Sequence, residues 1–223
     1  MRSARQAALG ILLLVAAGCG REPVASGPPR PEPPTAPAAT AAPAPPQPPT
    51  AAEKIVAAAR REAAKRTPYE PGYHRIKYPG GDVPAGGVCT DLVVRAVRGA
   101  GLDLQRLVHE DMRANFAAYP RLWSAAQPDP NIDHRRVPNL MRYFERKGAW
   151  LAKGTAGPAA AGWQPGDVVF WDLPNGLKHC GIVSDRKGAS GLPLVIHNLS
   201  RAAEEDCLAS WVIIGHARHP KPD

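Results

Sequence analysis

Residues 20–50 form a segment that cannot fold into a hydrophobic core. They contain 12 of the 26 prolines in the 223-residue chain, together with alanine and threonine and almost no large apolar side chains. This composition predicts an extended, semi-rigid linker that reaches roughly 90 Å at about 3.1 Å per residue. The folded part of the chain is therefore predicted to be residues 51–223, which is the length of one domain and enough for a real core.

The first residues have the pattern of an export signal. Basic residues open the chain, and an apolar run from Ala7 to Ala17 follows. The run is too short to span a bilayer, which takes about 20 apolar residues.

Small residues then lead to Cys19, and this arrangement resembles a bacterial lipobox. The resemblance implies a signal peptide over residues 1–18 and a lipidated Cys19 at the head of a 19–50 linker. Because Gly20 rather than aspartate follows, it also implies a lipid anchor in the outer membrane, facing the periplasm. An ordinary secretory signal with an incidental cysteine is the alternative.

The charge of the predicted domain is mildly positive and scattered. Residues 51–223 hold 24 Lys and Arg against 18 Asp and Glu, a net charge of +6. The sequence contains no long basic run with interleaved aromatics and no nucleic-acid-binding module, so no nucleic acid is expected as a partner. In a cell envelope such a surface suits an anionic polymer.

Cys89 stands at the predicted start of a helix. The preceding loop, residues 78–88, is rich in glycine and proline. From Cys89 onward, apolar residues recur on one helical face: Leu92, Val93, Ala96, Val97 and Ala100. Unpaired amides and the positive dipole end at a helix N-terminus favour an anion. A thiol there can drop from a pKa of about 8.5 to roughly 3.5–7.5, which makes it a nucleophile near neutral pH. The alternative is a small buried core residue.

The hydrophobic period changes from helical to strand-like beyond Gly154. Helices are predicted before this point, over residues 50–66, 89–100, 102–119 and 138–147. Short strands linked by tight turns follow, over residues 168–171, 178–184, 194–197 and 211–216. Helices first and then a run of short strands predict an α+β fold with a small antiparallel sheet.

Two histidines are spaced to act on Cys89. His179 begins one predicted strand and His197 ends the next, so antiparallel pairing would bring both imidazoles to one edge of the sheet. If the Cys89 helix packs on that sheet, its thiol reaches the same edge. The sequence therefore predicts a nucleophile, Cys89, a general base, His179, and a residue that holds the useful tautomer of that base, His197. Taken singly, each histidine is better explained as a structural imidazole, so the prediction depends on the three residues together.

The other two cysteines leave a choice of pairing. Cys180 follows His179 on the same strand and is expected to point to the opposite face, as a core or disulfide residue. One arrangement is a Cys180–Cys207 disulfide with Cys89 free, and the other is three free thiols.

Longer motifs around these residues carry a family resemblance. They are Tyr78-Pro79-Gly80-Gly81-Asp82-Val83-Pro84, Gly87-Val88-Cys89-Thr90-Asp91, Leu107-Val108-His109-Glu110-Asp111-Met112, Asn131-Ile132-Asp133-His134-Arg135-Arg136-Val137-Pro138-Asn139-Leu140 and Ile196-His197-Asn198. With these motifs the chain resembles the NlpC-type branch of papain-like cysteine peptidases and, more narrowly, the bacterial family catalogued as domain of unknown function 1287.

The resemblance implies a papain-like (NlpC-type) fold in which a helix-borne nucleophile packs on a small antiparallel sheet. It also implies a cysteine hydrolase, an amidase or endopeptidase, that cleaves stem-peptide amides through a thioester acyl-enzyme. The expected partner is peptidoglycan or another cell-wall peptide, and neither a cofactor nor a metal is expected. Cys89, His179 and His197 match the nucleophile, the base and the third polar residue of that class, whereas Cys180 stands where an aliphatic residue is usual.

Further residues of the same motifs are expected to contact the substrate. They are Tyr78, Asp82, Asp91, Asp133, His134 and Arg135. Other roles stay open for some of them: packing for Tyr78, helix capping for Asp91, and a loop from Asp129 to Asn139 that holds its own shape.

Two other functions fit the sequence. One is a non-catalytic module that anchors or recognises the cell wall. The other is a zinc hydrolase that uses His179, His197 and either His216 or Cys180 as ligands. No HExxH-like spacing supports the zinc hydrolase, and no carboxylate base is placed for it.

Overall fold

The structure is a computed structural model, and it describes Gly27 and residues 47–153 and 162–218. The predicted signal peptide, Cys19 and most of the predicted linker lie outside the described residues. The chain divides into two units at Pro45, and the second unit is the one whose architecture follows. Within the described part, no helix is both long and apolar enough to cross a membrane.

The helices precede the sheet in the described chain. The α-helices are α1 (Ala51–Lys65), α2 (Cys89–Arg98), α3 (Leu104–Asn115) and α4 (Val137–Arg146), with short 3₁₀ turns at Phe116–Ala118 and Asp133–Arg135. Helix α1 begins with a capping box: Glu53 N–H donates to Thr50 Oγ1 (3.2 Å), and Thr50 N–H donates to Glu53 Oε2 (2.7 Å). Helix α1 packs against α2, and α2 packs against the centre of the sheet.

The sheet has six antiparallel strands. They are β1 (Trp150–Lys153), β2 (Val168–Asp172), β3 (Lys178–Lys187), β4 (Pro193–Asn198), β5 (Ala202–Glu205) and β6 (Val212–Ala217), in the spatial order β1-β6-β2-β3-β4-β5. The predicted α+β class with an antiparallel sheet is confirmed. The two edge strands, β1 and β5, were not predicted. Alanine and glutamate dominate β5, and both have low strand propensity, so its sequence gives little signal.

Each face of the sheet buries its own cluster of side chains. On the helix side, strand residues such as Phe170, Ile182 and Ile196 pack with the apolar stripe of α2. Leu92, Val93 and Val97 of that stripe are almost fully buried, and each contributes about 1.5–3 kcal/mol of hydrophobic stabilisation. Three such residues on one ten-residue helix hold α2 in place, and they therefore hold the cysteine at its first turn.

The cysteines in the described part of the domain, Cys89, Cys180 and Cys207, are free thiols. Cys180 packs in the cluster under the helices, whereas Cys207 belongs to the cluster on the opposite face. The sheet therefore separates their side chains, and the disulfide between them that the cysteine count allowed is not formed. Of the two arrangements that the sequence left open, the structure has the one with free thiols.

Candidate active site

The loop that leads into α2 is held by side chains of two other elements. Asp91, in the first turn, accepts a hydrogen bond from Val88 N–H at 2.7 Å. Asn198, at the end of β4, donates to the carbonyl oxygens of Gly87 (2.9 Å) and Thr67 (3.2 Å). A side chain at Gly87 would place its Cβ 2.8 Å from the Cβ of Asp91, so glycine is required there. These contacts fix the position at which the chain enters the helix and presents Cys89.

Cys89 is a buried thiol with a strongly altered acidity. Its side chain is in the helix-side core, and it is 5% exposed. Hydrogen bonding with the Cys180 thiol, followed by hydrogen bonding and attraction from His179, lowers the pKa of Cys89 well below its usual value, although burial opposes this shift. The pKa of Cys180 moves the other way, raised by burial and then by Cys89. Cys180 therefore keeps its proton and donates toward a Cys89 thiolate.

This pairing corrects one expectation from the sequence. Strand alternation does put Cys180 on the helix-side face, but that face is the one that the tip of α2 reaches. Cys180 is thus both a core residue and a neighbour of the candidate nucleophile.

A hydrogen-bonded series of three side chains extends from the histidine beside Cys89. His179 Nε2 lies 2.8 Å from His197 Nδ1, and His197 Nε2 lies 2.9 Å from Glu205 Oε2. A carboxylate can only accept, so His197 donates from Nε2 and accepts at Nδ1. His179 then donates from Nε2, which leaves its Nδ1 free to accept a proton. The series selects the tautomer of His179 that a general base needs.

The electrostatics of the series keep its middle member neutral. The pKa of His197 is lowered, mainly by burial and by the neighbouring His179, against the opposing effect of Glu205. A neutral His197 can accept from His179 at Nδ1. Glu205 is missing from the sequence prediction because it lies on the unpredicted strand β5.

Two tryptophans enclose the histidine pair. Trp171 stacks on His179 with ring centroids 5.6 Å apart and an interplanar angle of 17°. Trp211 meets both imidazoles edge-on, at 5.8 Å from His179 and 5.9 Å from His197. These rings restrict the rotation of the imidazoles and keep water away from their faces.

Gly181 lets the two histidine strands approach each other. A Cβ at this position would lie 3.0 Å from His197 Cβ and 2.7 Å from Val195 Cγ1. Any side chain there would push β4 and His197 away from β3. Glycine is therefore needed at position 181, because a side chain there would prevent His179 and His197 from lying within hydrogen-bonding distance.

Donors for a developing oxyanion are available at the tip of α2. The first hydrogen bond at this end of the helix runs from Leu92 N–H to Val88 C=O at 3.3 Å, so the amides of residues 89–91 precede it. Tyr69 pairs with Gly87 beside them, and the pKa of its hydroxyl is raised by burial and then by the charge of Cys89. The Tyr69 hydroxyl therefore stays protonated near the sulfur. It was not singled out from the sequence.

Tyr78 and Asp82, two of the residues expected to contact the substrate, have partners within the protein. Tyr78 packs edge-on against His109, with ring centroids 5.2 Å apart. Asp82 forms ion pairs with Arg95 at 2.7 Å and with Arg98 at 3.9 Å. Both residues brace the loop before α2.

Asp91 and Arg135 form a buried ion pair at 3.0 Å. The guanidinium of Arg135 also donates to the carbonyl oxygens of Gly72 (2.6 Å) and Glu70 (2.8 Å). Burial raises the pKa of Asp91, and the charge of Arg135 opposes that shift. The pair connects α2 to the segment around Tyr69, so its contacts position the site.

Asp133 and His134 are also buried. Asp133 accepts hydrogen bonds from His109 Nδ1 (2.9 Å) and from Asp129 N–H (2.8 Å). Burial lowers the pKa of His134 to about 4, and its Nδ1 has no partner among the described residues. The loop from Asp129 to Asn139 thus holds its own shape, which is one of the two roles that the sequence left open.

Among the residues that the structure describes, one group of side chains has the types and spacing to hold a metal ion. His197, Glu205 and Cys207 each offer a ligand atom, and these atoms lie within 4.8 Å of one another. Of the zinc ligands suggested by the sequence, His179 and His197 lie together. His216 does not join them, because it bonds Asp167 at 2.7 Å beside the start of β2, whereas His179 pairs with the far end of that strand. Cys180 packs on the helix-side face of the sheet.

The fold and the site define an α+β domain in which a cysteine at a helix N-terminus faces a hydrogen-bonded histidine pair. A family model described as "Domain of unknown function (DUF1287)" matches residues 56–219. The chain is also 48% identical over 167 residues to "Uncharacterized protein YijF" of Escherichia coli (strain K12), covering 74% of this chain and 80% of that protein. No solved structure matches it. The chain belongs to the DUF1287 family, as its motifs predict.

Proposed function

We propose that the protein is a cysteine hydrolase of the papain-like NlpC type, an amidase or endopeptidase that cleaves amide bonds of peptidoglycan stem peptides. The observation that carries the proposal is the hydrogen-bonded series of His179, His197 and Glu205 beside Cys89, whose pKa is lowered in part by His179. A cysteine with a purely structural role should show the raised pKa that burial produces, as Cys207 does at about 12. Cys89 is as buried as Cys207, and yet its pKa is lowered.

The proposed reaction begins with attack by the sulfur. The Cys89 proton passes to His179 Nδ1, and the resulting thiolate bonds the scissile carbonyl carbon. The oxyanion forms beside the amides of residues 89–91. Collapse of this intermediate breaks the C–N bond, and the leaving amine takes the proton from His179. The product is a thioester on Cys89.

Water completes the cycle. His179 Nδ1 takes a proton from a water molecule, whose oxygen attacks the thioester carbonyl. Collapse of the second intermediate breaks the C–S bond and releases the product as a carboxylic acid, which ionises in solvent, while His179 returns the proton to the Cys89 sulfur. His197 and Glu205 hold the tautomer of His179 through both halves of the reaction.

The proposal includes a location in the cell envelope. The resemblance of residues 15–19 to a lipobox and the proline-rich segment after it support a lipid-anchored domain held away from the outer membrane, facing the periplasm. Membrane fractionation of the native protein beside Cys19→Ser tests this point. A wild-type protein found in the soluble fraction would contradict the anchor and leave the chemistry untouched.

The decisive experiment is mass spectrometry of purified peptidoglycan after incubation with the protein. The wild type should release peptide fragments, and Cys89→Ala should lower the release by at least about 10³-fold. Val97→Ala is the control, since it shortens a buried side chain at the other end of the same helix, away from the candidate site. Release that persists in a folded Cys89→Ala variant would show that Cys89 is not the nucleophile.

The His197, Glu205 and Cys207 group supports a zinc hydrolase as a second candidate. The two candidates respond differently to inhibitors. A thiol alkylator should abolish activity and a chelator should not. The opposite result would favour zinc, and wall binding without any turnover would favour a non-catalytic module.

A further inference from the structure

A cavity lies away from the cysteine site. It has a volume of about 700 Å³ and is bounded by α3, α4 and the segment between them. Tyr73, Trp123, Asp129, Arg136 and Asn139 are among the side chains that line it. None of these residues belongs to the series of side chains at the tip of α2, so the cavity needs its own explanation.

Asn139 gives the cavity an unsatisfied acceptor. Its side chain is 3% exposed, and its Nδ2 donates to Asp133 C=O at 3.0 Å. Its Oδ1 has no partner among the described residues. A buried polar atom left in this way costs about 1–3 kcal/mol. A ligand with an N–H or O–H donor would remove that cost.

Trp123 and Arg136 supply an aromatic surface and a positive charge. Trp123 is 58% exposed, and the guanidinium carbon of Arg136 lies 4.0 Å from the centre of its ring system. Arg136 forms no ion pair within the described chain, whereas the carboxylates nearby are engaged: Asp129 with Tyr73 and Asn131, and Asp133 with His109. The cation is therefore available to an anionic ligand.

The backbone at this surface is held in an uncommon conformation. Trp123 has a φ of 59° and Ser124 a φ of 53°, in the left-handed region that residues other than glycine adopt only rarely. Strain of this kind is found preferentially at ligand-binding sites.

We propose that this cavity binds a carboxylate-bearing, N-acylated amino sugar. Its ring packs on Trp123, its carboxylate pairs with Arg136, and an N–H or O–H group donates to Asn139 Oδ1. The proposal rests on the proposed function, in which the wall polymer is the substrate, and it adds a subsite for the sugar to which a stem peptide is attached.

The path from the cavity to the sulfur fits such a substrate. Tyr69 pairs with Gly87 beside Cys89, and Tyr73, four residues later, lines the cavity. Four residues span at most about 14 Å of extended chain. A stem peptide of similar length, attached to a sugar in the cavity, would reach the tip of α2. Arg135, which bonds the carbonyl of Gly72 on one side and Asp91 on the other, holds this path in place.

Binding is measured on the full chain carrying Cys89→Ala, so that no ligand is turned over. The probes are N-acetylmuramic acid and N-acetylglucosamine, two N-acetylated amino sugars, of which only the first carries a carboxylate. Titration calorimetry should give an affinity at least about tenfold higher for N-acetylmuramic acid. Lactate alone should bind far more weakly than the whole sugar. Equal binding of the two sugars would overturn the role of the carboxylate, and equal binding of lactate would overturn the role of the ring.

Two variants locate the binding. Trp123→Ala and Arg136→Gln should each weaken binding of N-acetylmuramic acid by at least about tenfold. Arg121→Gln is the matched control, because Arg121 covers Phe116 in the same region without lining the cavity. Unchanged binding in both folded variants, or no binding by the parent chain, would overturn the proposal. Binding together with an inactive wild-type enzyme would instead overturn only the proposed hydrolase.

Discussion

His179 Nε2 and His197 Nδ1 are 2.8 Å apart across the β3–β4 pair. Only one proton can lie between these nitrogens, and Glu205 decides which ring carries it, because a carboxylate bonded to His197 Nε2 fixes that proton first. The exposed Glu205 thus sets the chemical state of a buried His179 two side chains away.

The middle of the series can be tested by two replacements of His197. His197→Ala removes the acceptor for His179 Nε2–H, and hydrolysis should fall by about 10²–10⁴-fold, the usual contribution of a correctly held general base. His197→Asn keeps an oxygen near the position of Nδ1 and should retain part of that activity. The measurement is kcat/KM on muropeptides, with melting temperature as the fold control. Equal activity of His197→Ala and the wild type would remove His197 from the mechanism.

The end of the series has a matched pair of neighbours on β5. Glu205→Gln weakens the bond that fixes the tautomer and should lower kcat/KM by about tenfold, a modest loss because Glu205 is more than half exposed and its charge is screened. Glu204→Gln instead disturbs the ion pair with Arg60 on α1 and should change the melting temperature but not kcat/KM. A larger loss of activity in Glu204→Gln than in Glu205→Gln would contradict this assignment.

The acidity of Cys89 should depend on Cys180. Cys180→Val removes the thiol that donates to the Cys89 sulfur, so the pKa of Cys89 should rise and its alkylation by iodoacetamide should require a higher pH. Each unit of that rise lowers the thiolate fraction at acidic pH about tenfold. Cys180→Ser keeps a donor and should lie closer to the wild type. The raised pKa values of Cys180 and Cys207 keep them from contributing to the signal. Identical profiles for valine and wild type would show that Cys180 has no such role.

The parts of the site that follow from local periodicity were predictable. The stripe of α2 and the strands that carry His179 and His197 show their patterns within a few residues. Glu205 gave no such signal, since β5 is an edge strand of weak propensity whose register is set by pairing with β4. The role of Cys180 depends on where the tip of α2 meets the sheet, which strand alternation alone does not determine.

The partners of the expected substrate contacts could not be predicted from the sequence, for a different reason. A motif identifies residues characteristic of a family, but it does not say which partner each side chain contacts in the fold. Asp91 and Arg135 are 44 positions apart in the chain and bond each other. Their pairing is a tertiary contact that no local pattern encodes.

Asn198 should be important for stability because it connects β4 to the loop before Cys89. Asn198→Ala would remove one hydrogen bond from each of the carbonyls of Thr67 and Gly87, which keep a backbone donor from Ala202 and Glu70. At about 0.5–1.5 kcal/mol for each bond lost, the cost is about 1–3 kcal/mol. A loss near 2 kcal/mol corresponds to a melting temperature lower by about 4–8 °C. Thermal unfolding measures the shift. Asn115→Ala, which removes an amide from the exposed end of α3, should have a much smaller effect. Equal shifts in the two variants would mean that the hydrogen bonds of Asn198 do not make a particular contribution to stability.

His134 should make the fold sensitive to acid. Burial, then the charge of Arg135, lowers its pKa in the folded state to about 4, whereas the unfolded chain has a histidine pKa of about 6.5. Between these values the unfolded state binds a proton that the folded state does not, so stability falls as the pH drops from about 6.5 and the loss is complete below about 4. The difference amounts to about 3 kcal/mol. His134→Leu cannot take up that proton, so denaturant unfolding of this variant should lose about 3 kcal/mol less than the wild type between pH 7 and pH 4. Parallel pH profiles for the two proteins would show that His134 is not the group responsible.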